Sequence, residues 1–146
     1  MRGGVGRMDV IVSQLLLCDP VGASEEMIEE FQDYIGCRFG EELLAYLRVA
    51  GDSSGLFLGG EGTGMWDCMQ GTIVVREVWK DFSGGMVVVV NGFGNGFVCV
   101  DRCGAVGCDV WVFADGVDRP TKFGSFVEWV MQSVRESLGN SSGGGE

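Results

Sequence analysis

Four cysteines between residues 68 and 108 have side chains that could bind a metal ion. Cys99, Cys103 and Cys108 are spaced C-x3-C-x4-C, and Cys68 could supply a fourth thiolate. A structural zinc site of four cysteines usually contains two tight C-x2-C pairs, which this spacing lacks. Cys99 also falls in a predicted strand, where a small buried apolar residue is expected. We therefore predict no metal and no cofactor, although the sequence leaves open whether these three cysteines meet.

Catalysis by a nucleophile and a general base is disfavoured because the chain contains no histidine. That absence removes Ser-His and Cys-His pairs, histidine bases and every zinc site that needs imidazole. Two carboxylates could still hydrolyse a glycoside at a suitable separation, but acidic loop residues are usually only solvated. The aspartates at predicted strand ends or in loops are Asp101, Asp109, Asp115 and Asp118. We predict that the protein is not an enzyme.

Two glycine-rich stretches resemble phosphate-binding loops only superficially. The first, 92–96, is followed by a second apolar strand, whereas a dinucleotide-binding loop leads into a helix. We predict a hairpin turn there. The second, 59–64, precedes Met65 and Trp66 and has no basic residue beside it. It is predicted to be a mobile loop that could move on binding.

The charge balance indicates the kind of partner. Ten basic residues against 21 acidic ones give a net charge of −11, and no cluster of Lys and Arg is present. A nucleic-acid-binding protein normally presents a basic stripe to phosphate, so direct nucleic-acid binding is disfavoured. Electrostatic steering favours a basic protein partner. The alternative is that the negative charge only keeps the protein in solution.

The N-terminal sequence does not match an export signal. Its apolar stretch is interrupted by Asp9, Ser13 and Gln14, and Leu17 stands where a lipoprotein cleavage box requires a small residue. No run approaches the ~20 apolar residues of a membrane span. We therefore predict a cytoplasmic protein whose six cysteines are reduced thiols.

The first half of the chain is predicted to be mainly helical. The apolar run at 10–17 forms either a strand or the first turn of a helix. Ser24 is a predicted N-cap, apolar residues follow at helical spacing, and Gly36 ends that helix. A second helix is predicted over 41–49, ending at Gly51.

The middle of the chain is predicted to be irregular. Residues 52–71 have the composition of a loop, and 72–75 favour a strand. Apolar residues at 75, 78, 79 and 82 then predict a short amphipathic helix over 75–82.

The second half of the chain predicts a sheet and a closing helix. Strands are predicted at 86–90, 97–100 and 110–113, the first two antiparallel. The last helix begins at Ser125, with Glu128 placed to complete a capping box. The predicted class is α+β, with N-terminal helices packed on a mainly antiparallel sheet and a C-terminal helix closing the domain.

One domain is predicted from the composition along the chain. Residues 1–8 are predicted to be flexible, 9–138 to form a single domain, and 139–146 to be a disordered Gly/Ser tail.

Acidic residues are concentrated in the first capped helix and the start of the next one. Only Arg38 offsets them between residues 24 and 42. They form either a solvated face with favourable helix-dipole placement or a docking surface for a basic partner. The seven acidic residues are Glu25, Glu26, Glu29, Glu30, Asp33, Glu41 and Glu42.

The order of these segments resembles the SUKH superfamily (Smi/Knr-like proteins), over about residues 24–133. Its first helix has the form I-x-x-F-E-x-x-hydrophobic-G and its second ends in Asn-Gly, of which this chain has the glycine. Its hairpin is an apolar strand, G-x-G and a strand ending in Asp, and its last helix opens with Ser-Phe. The matching positions are Ile28, Phe31, Ile35, Gly36, Leu47, Gly51, Val87 to Asp101, Ser125, Phe126, Trp129 and Val130.

The resemblance implies a non-enzymatic binding protein. Bacterial members are cytoplasmic immunity proteins that neutralise a cognate toxin, frequently a nuclease or a nucleic-acid deaminase. Other members of the superfamily are regulators, so a regulatory interaction module acting on a different cellular protein is the alternative. Trp66 is either an interface anchor or a core residue. The expected partner-binding residues are Glu29, Glu30 and Asp33 of the acidic helix, with Glu61, Trp66 and Asp67 of the following loop.

Overall fold

Helices come first in the chain and a sheet follows, as the sequence predicts. The computed structural model describes residues 6–60, 62–81, 84–92, 96–114 and 116–143, with the backbone alone for 59–60 and 140–143. The α-helices are α1 (Arg7–Leu16), α2 (Glu25–Ile35), α3 (Glu41–Ala50), α4 (Met65–Val78) and α5 (Phe126–Gly143). The strands are β1 (Val87–Asn91), β2 (Gly96–Val100), β3 (Asp109–Ala114) and β4 (Thr121–Ser125). The α+β class is confirmed.

The first three helices largely follow the sequence signals. The apolar run at 10–17 lies mostly in α1, not in a strand. The Ser24 hydroxyl caps α2 by accepting a hydrogen bond from the Met27 N–H at 3.1 Å, and Gly36 ends the helix with φ 76°. The third helix extends one residue beyond the predicted end, to Ala50.

The middle of the chain differs in part from the prediction, because one helix, α4, covers the end of the predicted loop (65–71), the predicted strand at 72–75 and the first four residues of the helix predicted over 75–82. Its buried residues are Met65, Cys68, Met69, Gly71, Thr72 and Val75. Apolar side chains also lie on its exposed face, so the hydrophobic periodicity that identifies a helix is absent. Thr72 anchors the helix on β1, since its hydroxyl donates to the Cys68 carbonyl at 2.7 Å and accepts from the Val88 N–H at 2.9 Å.

The sheet is antiparallel with strand order β1-β2-β3-β4. The hairpin at 92–96 is confirmed: Gly92 N–H donates to the Gly96 carbonyl at 2.8 Å, and residues 93–95 lie outside the described part. The sequence did not predict β4. That strand lies at the edge of the sheet, and its first three residues are exposed, so it lacks an apolar pattern.

The glycine-rich stretch at 59–64 is packed against the sheet in its described part. Gly62 and Thr63 are buried, and the Gly62 carbonyl accepts a hydrogen bond from the Asn91 N–H at 2.7 Å. The hydroxyls of Thr63 and Ser54 are 2.5 Å apart. These contacts fix two residues of the predicted mobile loop immediately before α4.

The C-terminal helix closes the core. The capping box is confirmed: Glu128 N–H donates to the Ser125 hydroxyl at 3.1 Å, and the Glu128 carboxylate accepts from Ser125. The helix continues to Gly143, so 139–143 of the predicted tail are helical here, and 144–146 lie outside the described part. None of the helices, over the ranges described, is long and apolar enough to cross a membrane.

An aromatic cluster joins the helices in the core. The rings of Phe57 and Trp129 have centroids 5.4 Å apart, and those of Tyr46 and Phe126 are 5.6 Å apart. Tyr46 lies on α3, and Phe126 and Trp129 lie on α5, so the first and last parts of the chain share one core.

Candidate functional site

An exposed aromatic pair lies where α2 meets the first turn of α4. The Trp66 side chain is 63% exposed and Tyr34 is 47% exposed. Their ring centroids are 6.4 Å apart, with the planes tilted by 45°. Trp66 is therefore a surface residue and not part of the core. Because large aromatic side chains are usually buried, two exposed ones in contact point to a binding surface.

Helix α2, which carries Tyr34, also carries exposed acidic side chains. Glu29, Glu30 and Asp33 are all exposed. The Glu29 carboxylate accepts a hydrogen bond from Arg38 at 2.6 Å, which raises the pKa of the Arg38 guanidinium. Glu30 and Asp33 form no ion pair within 4 Å among the described residues. Glu30 lies one helical turn before Tyr34, so its charge is on the same side of α2 as the ring.

Of the predicted binding residues, Glu29, Glu30 and Asp33 lie on α2, and Trp66 lies in the first turn of α4, where it contacts Tyr34 of α2. Asp67 follows Trp66 in the first turn of α4 and is half-buried, whereas Glu61 lies outside the described part of the chain. Sequence reasoning missed Tyr34. The available signal was its place among the polar positions of α2, away from the apolar residues that face the core. We define the acidic–aromatic patch as Glu30, Asp33, Tyr34, Trp66 and Asp67.

Helix α2, which carries Glu30, Asp33 and Tyr34 of this patch, is held in place at both ends. At its first turn, two hydrogen bonds from Arg48, at 2.9 and 3.1 Å, lower the pKa of the Glu25 carboxyl. At its last turn, the Arg76 guanidinium donates to the Ile35 carbonyl at 2.7 Å. The buried Gln32 side chain accepts from the Phe39 N–H at 2.8 Å. The patch is thus presented on a rigid element, which reduces the entropy lost when a partner binds.

The cysteines are not gathered at one site in the described structure. No group of three or more metal-ligating Cys, Asp or Glu side chains is found in the described part of the chain. The Cys108 thiol donates to the Glu42 carboxylate at 3.5 Å, whereas Cys103 is hydrogen-bonded to Cys37. Cys99 is buried in β2.

Burial also makes these thiols poor nucleophiles. It is the main cause that raises the pKa of Cys18, Cys68, Cys99 and Cys108, and it raises that of Cys103 to about 11 with help from the hydrogen bond to Cys37. Five of the six cysteines are therefore protonated at neutral pH, and the thiolate is the reactive form.

The aspartates near the strand ends have structural partners. The Asp101 carboxylate accepts from the Asp109 N–H and from the Trp111 indole, both at 2.9 Å. Asp109 is 3.2 Å from the Lys122 ammonium. Asp118 is exposed, and Asp115 lies outside the described residues. Asp101 and Asp109 thus fix the connection between β2 and β3, an arrangement that does not indicate a catalytic pair.

Comparison with protein-family models gives a match over most of the chain. The model described as SUKH_5: SMI1-KNR4 cell-wall matches residues 9–135. The match spans α1 to α4, the whole sheet and the first half of α5, so it includes every described residue of the acidic–aromatic patch. A search of curated proteins gives no match.

Proposed function

We propose that this chain, which belongs to the SUKH_5 (SMI1-KNR4 cell-wall) family of the SUKH superfamily, is a cytoplasmic immunity protein that binds and neutralises a cognate toxin. The observation that carries the proposal is the exposed contact between Tyr34 of the acidic helix α2 and Trp66 of α4. The toxin would be a basic domain, such as a nuclease or a nucleic-acid deaminase. A domain that grips phosphate presents positive charge, which Glu30 and Asp33 can meet.

The chemistry of the patch suits tight protein binding. Tryptophan and tyrosine supply large contact areas with few rotatable bonds, and tryptophan is enriched among the residues that dominate binding energy. Surrounding carboxylates steer a basic partner towards the patch and increase the association rate. A protein bound here would cover the basic face that the toxin uses for nucleic acid.

A binding role also fits the side chains that the protein lacks or protects. The chain has no histidine, and its buried thiols are held in the protonated form. These observations support an inhibitor that acts by occlusion, without chemistry of its own.

Charge reversal tests the electrostatic part of the proposal. The double variant E30K/D33K is expected to weaken binding of the toxin encoded beside this gene by about tenfold at low salt, because steering is reversed. Growth rescue during co-expression should weaken in parallel. The matched control, D52K/E136K, makes the same charge change at exposed positions off the patch. If the two double variants bound the toxin with equal affinity, the proposed role of Glu30 and Asp33 in binding would be contradicted. If the neighbouring gene encoded no toxin, that finding would count against a function in immunity.

Truncation of Trp66 tests the aromatic part. The substitution Trp66→Ala is expected to weaken toxin binding by about 2 kcal/mol or more, roughly thirtyfold, because the indole is the largest exposed apolar side chain of the patch. Calorimetric titration measures the affinity. Thermal unfolding of the free variant should change little because the side chain is exposed, and Trp66→Phe should retain part of the affinity. If W66A bound the toxin with the affinity of the wild-type protein, the toxin would have to bind elsewhere on the surface.

The family description favours a second candidate. It names the cell wall, which suits a regulatory interaction module that acts on a cellular protein other than a toxin. The same patch would then bind that protein. Affinity capture with the wild-type chain and with W66A in parallel separates the candidates, because only an immunity protein retains the neighbouring toxin through Trp66.

A further inference from the structure

The exposed face of α4 is mainly apolar. Its exposed residues are Trp66, Gln70, Val74, Glu77 and Val78. Trp66, Val74 and Val78 recur at multiples of four residues and therefore lie along one side of the helix. Val74 is 40% exposed and Val78 is 62% exposed. We call these three residues the α4 stripe.

The valines of this stripe do not help α4 to fold. β-Branched residues lose side-chain freedom in a helix, and at an exposed position no burial offsets that loss. The opposite face of α4 already packs on the sheet through Met69, Thr72 and Val75. Apolar side chains on both faces indicate that the second face has a partner of its own.

A cavity lies at the C-terminal end of the stripe. Its volume is about 500 Å³, which is large enough for a bulky side chain. The Trp79 indole N–H donates to the Val117 carbonyl at 2.8 Å, which holds the loop between β3 and β4 against the end of α4. The cavity is lined by Val74, Val78, Trp79, Gly96, Phe97, Gly116, Val117 and Asp118.

The charged side chains described on the stripe side of α4 and in the lining of the cavity are acidic. Asp67 and Glu77 lie on the stripe side of α4, and Asp118 lines the cavity. The helix's own cation, Arg76, is turned inward and donates to the carbonyls of Ile35 and Met86. Lys80 lies beyond the end of the helix. An apolar stripe with acidic edges is complementary to a segment with apolar and basic side chains.

We propose that the α4 stripe docks an amphipathic helix of the partner, with lysine or arginine along its edges and one bulky apolar side chain in the cavity. The inference rests on the proposed function, whose partner it describes. Val78 lies twelve positions after Trp66, so the stripe is about 18 Å long, with about 12 Å between Trp66 and Val74 and about 6 Å between Val74 and Val78. A partner helix with apolar residues at the same eight- and four-residue intervals has matching spacing, so the two rows can interdigitate.

A designed peptide tests the site without knowledge of the natural partner. The probe is a fluorescent, capped peptide of about 18 residues, with leucine at every fourth position and lysine and alanine elsewhere. The double variant V74S/V78S is expected to weaken its binding by at least about tenfold, because two apolar contacts are lost. The matched control is V21S/V106S, which alters two valines that are 54% and 47% exposed away from the stripe. In spectra with labelled methyl groups, the Val74, Val78 and Val117 signals should shift on binding.

Three outcomes would overturn the helix site. The first is no binding of the peptide at about 1 mM. The second is equal affinity for a scrambled peptide of the same composition, or equal weakening by V21S/V106S. The third is concentration-dependent self-association of the free protein that V74S/V78S abolishes, since a second copy would then be the occupant. If the toxin tests succeed and V74S/V78S changes nothing, only this inference fails. If the peptide docks as expected but no toxin is bound, only the toxin assignment fails.

Discussion

Replacing Glu42 with alanine is expected to lower the free energy of unfolding by about 3 kcal/mol, because it removes a buried carboxylate that accepts three hydrogen bonds. The Glu42 side chain is completely buried in α3. It accepts hydrogen bonds from the Arg7 guanidinium on α1, from the Gly107 N–H at 2.9 Å and from the Cys108 thiol. One carboxylate thus joins α1, α3 and the connection between β2 and β3. Its loss leaves a cavity and removes the acceptor of the Gly107 N–H.

Urea unfolding followed by circular dichroism measures this loss, and Glu41→Ala is the matched control. Glu41 precedes Glu42 in the first turn of α3 but is exposed. Its replacement should change the unfolding free energy by less than about 0.5 kcal/mol. The isosteric variant Glu42→Gln keeps one acceptor oxygen and should fall between the two. A loss below about 1 kcal/mol in Glu42→Ala would show that the buried network is not a stabilising link.

The substitution Gly62→Ala is expected to destabilise the fold by about 3 kcal/mol or more. Gly62 has φ 75°, where a residue with a side chain is strained by roughly 1–2 kcal/mol. An added Cβ would also overlap the carbonyl oxygen of Asn91. The Gly62 carbonyl accepts the Asn91 N–H, so backbone on both sides must move. The displacement would reach the first turn of α4, and W66-dependent toxin binding should weaken as well.

Gly36→Ala separates the two contributions to this effect. Gly36 has almost the same φ, 76°, but a Cβ there meets no atom of the described structure within 4 Å. The Gly36→Ala variant should therefore lose only about 1–2 kcal/mol of unfolding free energy, which is the cost of a positive φ at a residue with a side chain. The difference between the two variants in thermal and urea unfolding then gives the steric part. If both variants lost the same unfolding free energy, the backbone around Gly62 would be able to move away from the added Cβ without an energetic cost.

The sequence predicts the fold best where local chemistry acts alone. Ser24 and Gly36 bound α2, and Ser125 with Glu128 opens α5, because side-chain capping and positive φ are local effects. Helix α4 could not be found in this way. Its apolar residues occupy both faces, and its β-branched run at 72–75 has the local preference of a strand. The packing of this segment on β1 as a helix overrides that preference.

The candidate site was predicted in part for the same reason. The acidic residues of α2 follow from a helix whose apolar positions are clear, so Glu30 and Asp33 could be placed on its exposed side. The contact between Tyr34 and Trp66 joins residues 32 positions apart in the chain. This contact depends on the packing of α2 beside α4, which cannot be predicted from the sequence pattern of either helix. The α4 stripe was inaccessible to sequence reasoning because the helix itself was missed.

The buried, unpaired cysteines make local opening of this domain measurable. Cys18 follows α1, Cys68 lies in α4, Cys99 lies in β2, and Cys108 precedes β3, and all four are buried free thiols. A thiol reagent can reach each of them only when its segment opens. Single-cysteine variants labelled under native conditions would therefore give an opening free energy for four separate segments. Where a bound partner slows labelling at Cys68 alone, it stabilises α4 without stabilising the whole molecule.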